Sequence, residues 1–438
     1  MASCKTDMRA VPLNPADYFT LVMDNEIRKA GLSGSYGGIV LELDSKPDFE
    51  ALEVRVAEFQ SRFPLCRSRL TKQGKRYYWQ EPTKDEKILH LHHLSSRDGS
   101  APRLKEIMNL RQPLDTTVPL EFHVFCQPGR HRFFIRWLHP LCDAGGAGLI
   151  LKFLLTDSLQ ERQQFNDDDS PIQSYLDRWS LWEKIGFFIK GKRHINGIDR
   201  LKSTLPVDDV VVPEQLDFKV VRFSRQQTEV IDQLARKQVG MAAKSLYYIG
   251  CFMRAIAMTG PAVEGDAYCI PYAFNLRKQK AVSPVFGNQV SVLFAQVPTD
   301  LVENRNNMFK YLKQQYVEAV RNKTDLAFLP VMLAGSWLSI ERYGQVLRNQ
   351  SRHGTERSSF WFSDIGEIDF AAADFFGSVV DGVFHLSPVT SPPSLSLLLG
   401  KFDQKLVMTY NYLIPQVDSG WLGILQKNMT SELLGETR

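Results

Sequence analysis

The chain has 438 residues, of which 44% are hydrophobic and 23% charged, and its formal net charge is only +4. This length exceeds what one hydrophobic core usually supports, so two domains of about 200 residues each are expected. Lys and Arg are interspersed with Asp and Glu rather than gathered in one block, which argues against a nucleic-acid-binding protein.

Cysteine usage and the N-terminus indicate the compartment. The six cysteines are widely scattered and form no Cys-x-x-Cys pair, which is typical of a reducing compartment rather than of a disulfide-linked fold. The first residues lack the apolar core of a signal peptide, and no stretch approaches about 18 uncharged apolar residues. We therefore expect a cytoplasmic protein whose membrane contact, where it exists, is peripheral.

The first third of the chain has the hydrophobic periods of strands and helices in alternation. The predicted elements, in chain order, are a strand at 37–43, a helix at 48–63, a hairpin turning at 72–74, two strands on either side of 127–130 and a helix at 144–160. Hairpins interrupt the alternation, so the pattern predicts a mixed α/β fold rather than strict βαβ units.

The segment from about 165 to 213 differs in composition from its surroundings. It begins with an acidic, turn-forming run, continues with the aromatic and basic stretch 175–194, and ends in a run bounded by prolines. We interpret it as a crossover that contains one amphipathic helix. The predicted organisation is therefore an N-terminal lobe at 1–170, a crossover at 171–213 and a C-terminal lobe at 214–438.

A second set of α/β elements follows the crossover. The predicted elements are strands at 218–224, 267–277, 288–298 and 358–369, helices at 225–237, 244–260 and 303–321, a hairpin at 393–412 that turns at Gly400, and a closing helix at 420–434. The two halves are alike in the types of element they contain. No repeat of individual residues accompanies this likeness, so any internal duplication would be structural only.

Two patterns come close to known sites without matching them. Gly186–Arg193 has the spacing of a phosphate loop, but Arg193 stands where a Ser or Thr would hold magnesium, and bulky residues fill the loop; we expect a solvated basic helix end. His90, His92 and His93 could be metal ligands. No matching carboxylate or cysteine set stands at ligand spacing, so we expect a polar edge strand that leads into a turn.

The stretch 133–155 is the main candidate for chemistry. An apolar strand ends in His139, where a side chain leaves the core and an imidazole can transfer protons near neutral pH. Asp143 stands where a carboxylate can cap the helix that follows. The pattern alone favours a structural histidine with a capping aspartate over catalysis. Cys142 is a further, weaker alternative as a thiol nucleophile, because the i,i+3 spacing gives His139 no reason to face its sulfur.

The residues from His139 to Gly145 resemble the His-x-x-x-Asp-Gly signature of the CoA-dependent acyltransferase superfamily. This group includes chloramphenicol acetyltransferase, peptide-synthetase condensation domains, alcohol acetyltransferases and the wax ester synthase/diacylglycerol acyltransferases. The stretch 272–298 is similar to the family's second-domain segment, in which an Arg-bearing strand leads to a Phe-Gly-Asn turn. The stretch 360–369 is similar to its late Ser-Asn-x-Gly turn. The three stretches stand in the family's order.

Three positions depart from the pattern of that superfamily. Leu138 stands where many members carry a first histidine, Ala144 replaces the glycine after the aspartate, and Asp364 stands where asparagine is common. The substitution at Ala144 leaves open a binding or scaffold protein that retains the fold without full activity.

The resemblance implies a fold and a site. The fold would consist of two chloramphenicol-acetyltransferase-like lobes, each a mixed sheet flanked by helices, with the active site in a tunnel between them. His139 would be the general base that takes a proton from the acceptor. Asp143 would be structural and would form a buried bidentate pair with Arg277, which would hold the loop in place.

The resemblance also implies how the reaction's negative charge and substrates are held. The Gly145 backbone N–H, or the turn that carries Asn288 and Ser291, would stabilise the tetrahedral oxyanion. The donor would be acyl-CoA or an acyl-carrier protein, and the acceptor a small-molecule alcohol or amine. No metal and no bound cofactor is implied, because the thioester arrives as substrate.

The choice between substrate classes stays open at this stage. A lipid or specialised-metabolite alcohol is the preferred acceptor, because no carrier or adenylation domain shares the chain. A stand-alone condensation enzyme with carrier-bound donors is the second interpretation. The aromatic and basic crossover could rest on an anionic membrane, although a helix packed at the seam between the lobes is the favoured explanation.

Overall fold

The computed structural model describes residues 10–74, 76–81, 87–95, 99–168, 170–208, 212–278, 280–349, 357–368 and 374–436. The strands are β1 (Ala10–Pro12), β2 (Tyr36–Leu43), β3 (Arg69–Gln73), β4 (Arg76–Gln80), β5 (Leu89–His93), β6 (Leu120–Gln127), β7 (Arg130–Leu138), β8 (Gln215–Arg222), β9 (Ala267–Asn275), β10 (Val290–Pro298), β11 (Trp361–Glu367), β12 (Val380–Leu386), β13 (Leu395–Phe402) and β14 (Lys405–Ile414).

The helices follow the same order along the chain. They are α1 (Pro15–Lys29), α2 (Phe49–Arg62), α3 (Ser100–Met108), α4 (Ala144–Leu155), α5 (Leu159–Arg162), α6 (Pro171–Arg178), α7 (Leu181–Ile198), α8 (Arg225–Gln238), α9 (Lys244–Thr259), α10 (Thr299–Val302), α11 (Arg305–Arg321), α12 (Thr324–Gly335), α13 (Ile340–Asn349) and α14 (Ser419–Leu434).

Two mixed sheets form the framework. The first has five strands in the order β12-β2-β7-β6-β5, and the second has six in the order β10-β9-β11-β13-β14-β8. Most neighbouring strands are antiparallel, but β5 is parallel to β6, and β11 is parallel to both of its neighbours, β13 and β9. Helices cover both sheets, so the predicted mixed α/β class with two lobes is confirmed.

One strand from late in the chain belongs to the first sheet. β12 lies within the range predicted for the C-terminal lobe, yet it pairs antiparallel with β2 along the edge of the N-terminal lobe's sheet. Leu216 and Leu413 of the second half are also part of the first lobe's hydrophobic core. The range 214–438 therefore contributes structure to both lobes, and the chain crosses between them more than once.

The predicted hairpin at 393–412 is present, but its turn lies elsewhere. Gly400 is inside β13, where it pairs with Val407 of β14. The turn consists of Asp403 and Gln404, whose φ angles are +50° and +59°. Two residues with positive φ match the right-handed twist of the flanking strands, and aspartate tolerates this conformation better than most residues. The prediction of a turn at the glycine was therefore wrong.

The crossover contains two helices rather than the single one predicted. α6 ends at Arg178 and α7 begins after Ser180, because Ser180 and Glu183 form a capping box that starts a new helix. Gly186–Arg193 lies inside α7, so it is not a loop, and it is helix interior rather than the helix end that was predicted. None of the helices in the described ranges is long and apolar enough to cross a membrane.

Candidate active site

The loop that follows β7 carries the candidate residues. The β2–β7 ladder ends with the pair Tyr36 and Leu138, and the His139 N–H then donates to the Ser35 carbonyl at 2.8 Å. Asp143 is the N-cap of α4 and accepts from the Gly146 N–H at 2.8 Å. The strand's last hydrogen bond and the helix cap thus fix both ends of the loop 139–143.

Asp143 forms the ion pair that the resemblance implied. Arg277 Nη1 lies 2.7 Å from both carboxylate oxygens of Asp143, and both side chains are buried. The geometry differs from a two-nitrogen fork, because one nitrogen bridges both oxygens. The Gln289 N–H donates a further hydrogen bond of 2.7 Å to Asp143. The carboxylate is therefore fully occupied by structural contacts.

The loop 284–289 of the second lobe lies along the loop 139–143. Arg277 Nε donates to the Pro284 carbonyl at 3.2 Å and its Nη2 to the Gly287 carbonyl at 3.1 Å. The Gly287 N–H donates to the Leu141 carbonyl at 2.7 Å, next to a parallel bridge between Gly287 and Cys142. These contacts fasten the two lobes together directly beside His139.

His139 is held by its backbone, and its ring remains available. Its carbonyl accepts from Asn288 Nδ2 at 2.9 Å, while its Nδ1 is buried and makes no hydrogen bond to another described residue. Burial lowers the pKa of His139, and its own backbone carbonyl, the Asp143 charge and Asn288 offset this only in part. The imidazole is therefore neutral at pH 7, which is the form that can accept a proton.

Cys142 does not have the properties of a nucleophile. Complete burial raises the pKa of its thiol well above 9.0, and the nearby Asp143 charge acts in the same direction. A thiol in this environment stays protonated at neutral pH, whereas the thiolate is the reactive form. The thiol-nucleophile alternative is therefore disfavoured.

Asn288 and Ser291 both have structural hydrogen bonds. Asn288 is fully buried, and its side-chain amide donates to Asp17 Oδ1 at 2.8 Å as well as to the His139 carbonyl. Both amide hydrogens are thus used, and its Oδ1 has no partner among the described residues. Ser291 donates its hydroxyl to the carbonyl of Asp325, which lies in the first turn of α12. Neither side chain has a free donor for an oxyanion.

The two glycines at the start of α4 have different surroundings. A Cβ atom at Gly146 would lie 2.4 Å from the Val285 carbonyl oxygen, so only glycine permits this approach of the second lobe. A Cβ at Gly145 would come no nearer than 3.2 Å to its neighbours. The position at which only glycine fits is therefore Gly146, and the first turn of α4 begins with Ala144. No described group accepts from the Gly145 N–H, whereas Gly146 donates to Asp143.

Asp17 was not predicted as part of the site. It lies in the first turn of α1, and its Oδ1 accepts from the Asn288 N–H at 2.6 Å and from the Asn288 side chain. Burial raises its pKa to about 7, against the opposing effect of hydrogen bonds from Asn288 and Asn14. Sequence reasoning passed over α1, although Asn14, Pro15 and Asp17 have the signature of a capped helix start.

The histidines near residue 90 lie away from this loop. β5 is an edge strand of the first sheet, as predicted, and His92 Nε2 lies 3.0 Å from Nδ1 of His123 on β6. Burial lowers the pKa of His92 to about 4, with the neighbouring His123 acting in the same direction. Within the described ranges, no group of three or more His, Cys, Asp or Glu side chains is arranged to hold a metal ion.

The late turn implied by the resemblance also has a structural explanation. Asp364 accepts from the Gly366 N–H at 3.1 Å and from the Ser245 hydroxyl at 2.8 Å. It stabilises a bulge in β11 at which Gly366 has φ +82°. The last residue of the predicted stretch, Asp369, lies outside the described residues.

Comparison with known proteins identifies the fold. The trichothecene 15-O-acetyltransferase from Fusarium sporotrichioides is similar over 98% of this chain and 95% of its own, with a TM-score of 0.72 and 8% identity. The first condensation domain of the CDA synthetase is similar over 97% and 96%, with a TM-score of 0.71 and 14% identity. The chain has the fold that this acetyltransferase and this condensation domain share. The fold that the resemblance implied is thereby confirmed.

A third solved structure with this fold is named for a different role. The epimerization domain from the third module of tyrocidine synthetase B covers 98% of this chain and 97% of its own, with a TM-score of 0.65 and 12% identity. No protein-family model matches the sequence, and no curated protein matches it. At these identities the likeness establishes the fold alone, and the tunnel between the lobes stays a prediction.

Proposed function

We propose that this protein is an acyltransferase that moves an acyl group from a thioester to a hydroxyl or amine acceptor, with His139 as general base. The observation that carries the proposal is a neutral histidine whose loop is fastened by the buried pair of Asp143 and Arg277, in an acyltransferase fold. Asp143 has a supporting role, because the four short contacts from Arg277, Gly146 and Gln289 occupy its carboxylate.

The proposed reaction has two balanced steps. Nε2 of His139 accepts the proton of the acceptor O–H or N–H as the acceptor's oxygen or nitrogen forms a bond to the thioester carbonyl carbon. We assign this role to Nε2 because Nδ1 is buried. The tetrahedral intermediate then collapses, the carbon–sulfur bond breaks, and the imidazolium returns the proton to the departing thiolate. The products are an ester or amide and a free thiol.

The intermediate's oxyanion needs a donor, and the structure narrows the choice. Asn288, Ser291 and the Gly146 N–H all have acceptors within the protein. Among the donors predicted from the sequence, the Gly145 N–H is left, and it lies in the first turn of α4, where the helix dipole favours negative charge. We therefore assign the oxyanion contact to Gly145.

The thioester donor has two candidate forms. Condensation domains among the structural neighbours favour a carrier-bound donor. Acyl-CoA is the other form that the resemblance implied. We keep the specialised-metabolite alcohol or amine as the preferred acceptor class, because one neighbour is named as a trichothecene 15-O-acetyltransferase and another as a condensation domain of a synthetase. Neither donor requires a resident metal or cofactor, since the thioester itself supplies the reactive carbonyl.

The test is acyl transfer by wild type, His139→Ala and a matched control. His131→Ala is the control, because His131 is at the opposite end of the same strand, β7. Purified proteins are given free acyl-CoAs or carrier-loaded acyl groups together with a panel of alcohols and amines, and products are measured by mass spectrometry. We expect His139→Ala to lose about 10²–10⁴-fold in kcat/KM and His131→Ala to retain it.

Each other outcome has a defined meaning. Transfer that survives unchanged in His139→Ala contradicts the general base. If carrier-loaded acyl groups react and free acyl-CoAs do not, the protein is a condensation enzyme rather than a CoA-dependent acyltransferase. Absence of transfer by wild type from both donor forms contradicts the enzyme and favours the binding or scaffold alternative that Ala144 raised.

Contact with a membrane surface is a separate part of the proposal. The crossover helix α7 exposes Leu181, Trp182, Ile185 and Ile189, with Trp182 at 79% exposure, and their spacing places them on one face. Lys192 and Arg193 follow along the same helix. Wild type should therefore sediment with vesicles of anionic lipid, and Trp182→Ala should do so less. Equal sedimentation of both proteins, or of neither, would contradict this contact.

A further inference from the structure

Helix α1 carries two buried acidic side chains. Asp17 and Asp24 are seven residues apart, which is about two turns and places them on the same face of the helix. Acidic residues are seldom buried unless a specific contact compensates for the loss of hydration. The hydrogen bonds that Asp17 and Asp24 accept each lead, through one further residue, to the backbone of His139.

The first connection runs through the second lobe. Asp17 Oδ1 accepts the backbone N–H of Asn288 at 2.6 Å and its side-chain amide at 2.8 Å. The other hydrogen of that amide goes to the His139 carbonyl at 2.9 Å. Because Asp17 lies on one side of Asn288 and His139 on the other, the carboxylate fixes the amide that orients the histidine's carbonyl.

The second connection runs through the loop before β2. Asp24 Oδ1 accepts the Ser35 N–H at 2.6 Å, and the Ser35 carbonyl accepts the His139 N–H at 2.8 Å. Gly34 precedes Ser35 with φ +112°, and a Cβ there would lie 2.5 Å from Asp24 Oδ1. Only glycine allows the loop to approach the carboxylate this closely. Arg28 balances the charge of Asp24 at 2.6 Å.

We propose that helix α1 positions His139, with Asp17 acting through Asn288 and Asp24 acting through Ser35. This inference rests on the proposed role of His139 as the general base. Through Asn288 and Ser35, the two carboxylates hold the peptide groups before and after His139. A single rigid helix therefore sets the direction in which the imidazole points away from the backbone. Neither aspartate touches the ring, and both are positioning residues.

The expected consequence is a loss of rate rather than of substrate binding. A catalytic group that moves by about 1 Å can lose on the order of 10²-fold in rate, because the reacting atoms are no longer aligned. Substrate contacts elsewhere in the site are unaffected by such a rotation, so KM should change little. A helix that merely stabilised the fold would instead lower the amount of active protein.

The first test uses Asp17→Asn, Asn288→Ala and Asp24→Asn. Each should lower kcat about 10- to 100-fold with little change in KM. Glu183→Gln is the matched control, because Glu183 occupies the same third position in the capping box of α7 as Asp17 does in that of α1. The control removes a capping carboxylate without any connection to His139, so its kcat should equal that of wild type.

A double variant separates positioning from stability. Asp17→Asn combined with Asn288→Asp restores a hydrogen bond between positions 17 and 288, but an oxygen then faces the His139 carbonyl in place of the amide donor. We expect the unfolding midpoint to recover relative to the single variants while kcat stays low. Recovery of both quantities would mean that the link only stabilises the fold, and it would overturn the inference.

A measurement that does not depend on activity keeps this inference apart from the proposed function. The chain has nine histidines, and the Cε1–H resonance of His139 is the one that disappears in His139→Ala. That resonance should shift in Asp17→Asn and Asn288→Ala but not in Glu183→Gln. A shift in a protein without acyl transfer would reject the proposed function and keep the positioning; an unchanged resonance together with unchanged kcat would reject the positioning.

Discussion

Two buried carboxylates flank the His139 loop, and their surroundings are opposite. Asp143 is neutralised by Arg277, which lies 2.7 Å from both of its oxygens. Within the described part of the chain, Asp17 accepts only from the neutral donors of Asn288 and Asn14, and burial raises its pKa to about 7. A buried carboxylate can therefore be structural in two ways, either as half of an ion pair or as the acceptor of hydrogen bonds from amide groups. Burial brings the pKa of Asp17, the second kind, into the neutral range.

The largest expected effect comes from making Asp143 resemble Asp17. Arg277→Met removes the charge that compensates Asp143 and leaves a buried carboxylate with N–H donors alone. We expect a loss of about 3–5 kcal/mol in the free energy of unfolding, measured with urea at pH 7. Arg225→Met is the control, since Arg225 and Asp403 are paired on the surface. Similar small losses in both variants would contradict the special role of the buried pair.

The second prediction concerns the pH dependence that Asp17 contributes. Its pKa rises from 3.8 when exposed to about 7 in the folded protein, so between these values the folded state binds more protons than the unfolded state. Stability therefore falls as pH rises from about 4 to 7, by at most about 1.4 kcal/mol per pH unit. The free energy of unfolding of wild type and of Asp17→Asn can be measured with urea at pH 5, 6 and 7. It should fall more steeply with rising pH in wild type than in the variant. Parallel curves would show that Asp17 is ionised throughout.

A smaller effect tests how closely the lobes meet beside Asp143. Gly146→Ala would place a Cβ 2.4 Å from the Val285 carbonyl oxygen, and backbone must move to relieve it. We expect a loss of about 1–3 kcal/mol in stability. Gly145→Ala is the neighbouring control, because its Cβ would be 3.2 Å or more from other atoms. Equal stability of the two variants would mean that the lobes separate here without cost.

The smallest effect is expected at Ser291, which lies apart from both carboxylates. Its hydroxyl donates to the Asp325 carbonyl. Ser291→Ala should lose about 0.5–1.5 kcal/mol in stability, the usual range for one hydrogen bond, and should keep wild-type kcat. Loss of kcat without loss of stability would instead place Ser291 among the groups that contact the oxyanion.

Local elements followed closely from the sequence, because their signals are local. The strand predicted at 37–43 is β2 at Tyr36–Leu43, and the helix predicted at 225–237 is α8 at Arg225–Gln238. Both have a clear hydrophobic period, and α8 has a capping box. The errors arose where a local signal was ambiguous, as at Gly400, or was overlooked, as at the capped start of α1.

Part of the site could be predicted, and part had no local signal. His139 and Asp143 stand in one short motif, and the resemblance suggested Arg277 as the partner of the aspartate. Asp17 and Asn288 are 271 positions apart, and nothing in either segment indicates that they meet. Asp24 likewise reaches His139 only through Ser35, by hydrogen bonds between a side chain and backbone groups that sequence patterns do not reveal.

Hydrophobic periods and short motifs are enough to predict the mixed α/β class, the order of most elements and a histidine between a strand and a helix. Tertiary packing is what returns β12 to the first sheet, brings the Val285 carbonyl against Gly146, and connects α1 to His139 through Asn288 and Ser35. The physical reason is the separation along the chain over which each interaction acts. Periodicity, capping and turn preferences act over a few residues, whereas strand pairing and buried hydrogen bonds depend on which distant segments pack together.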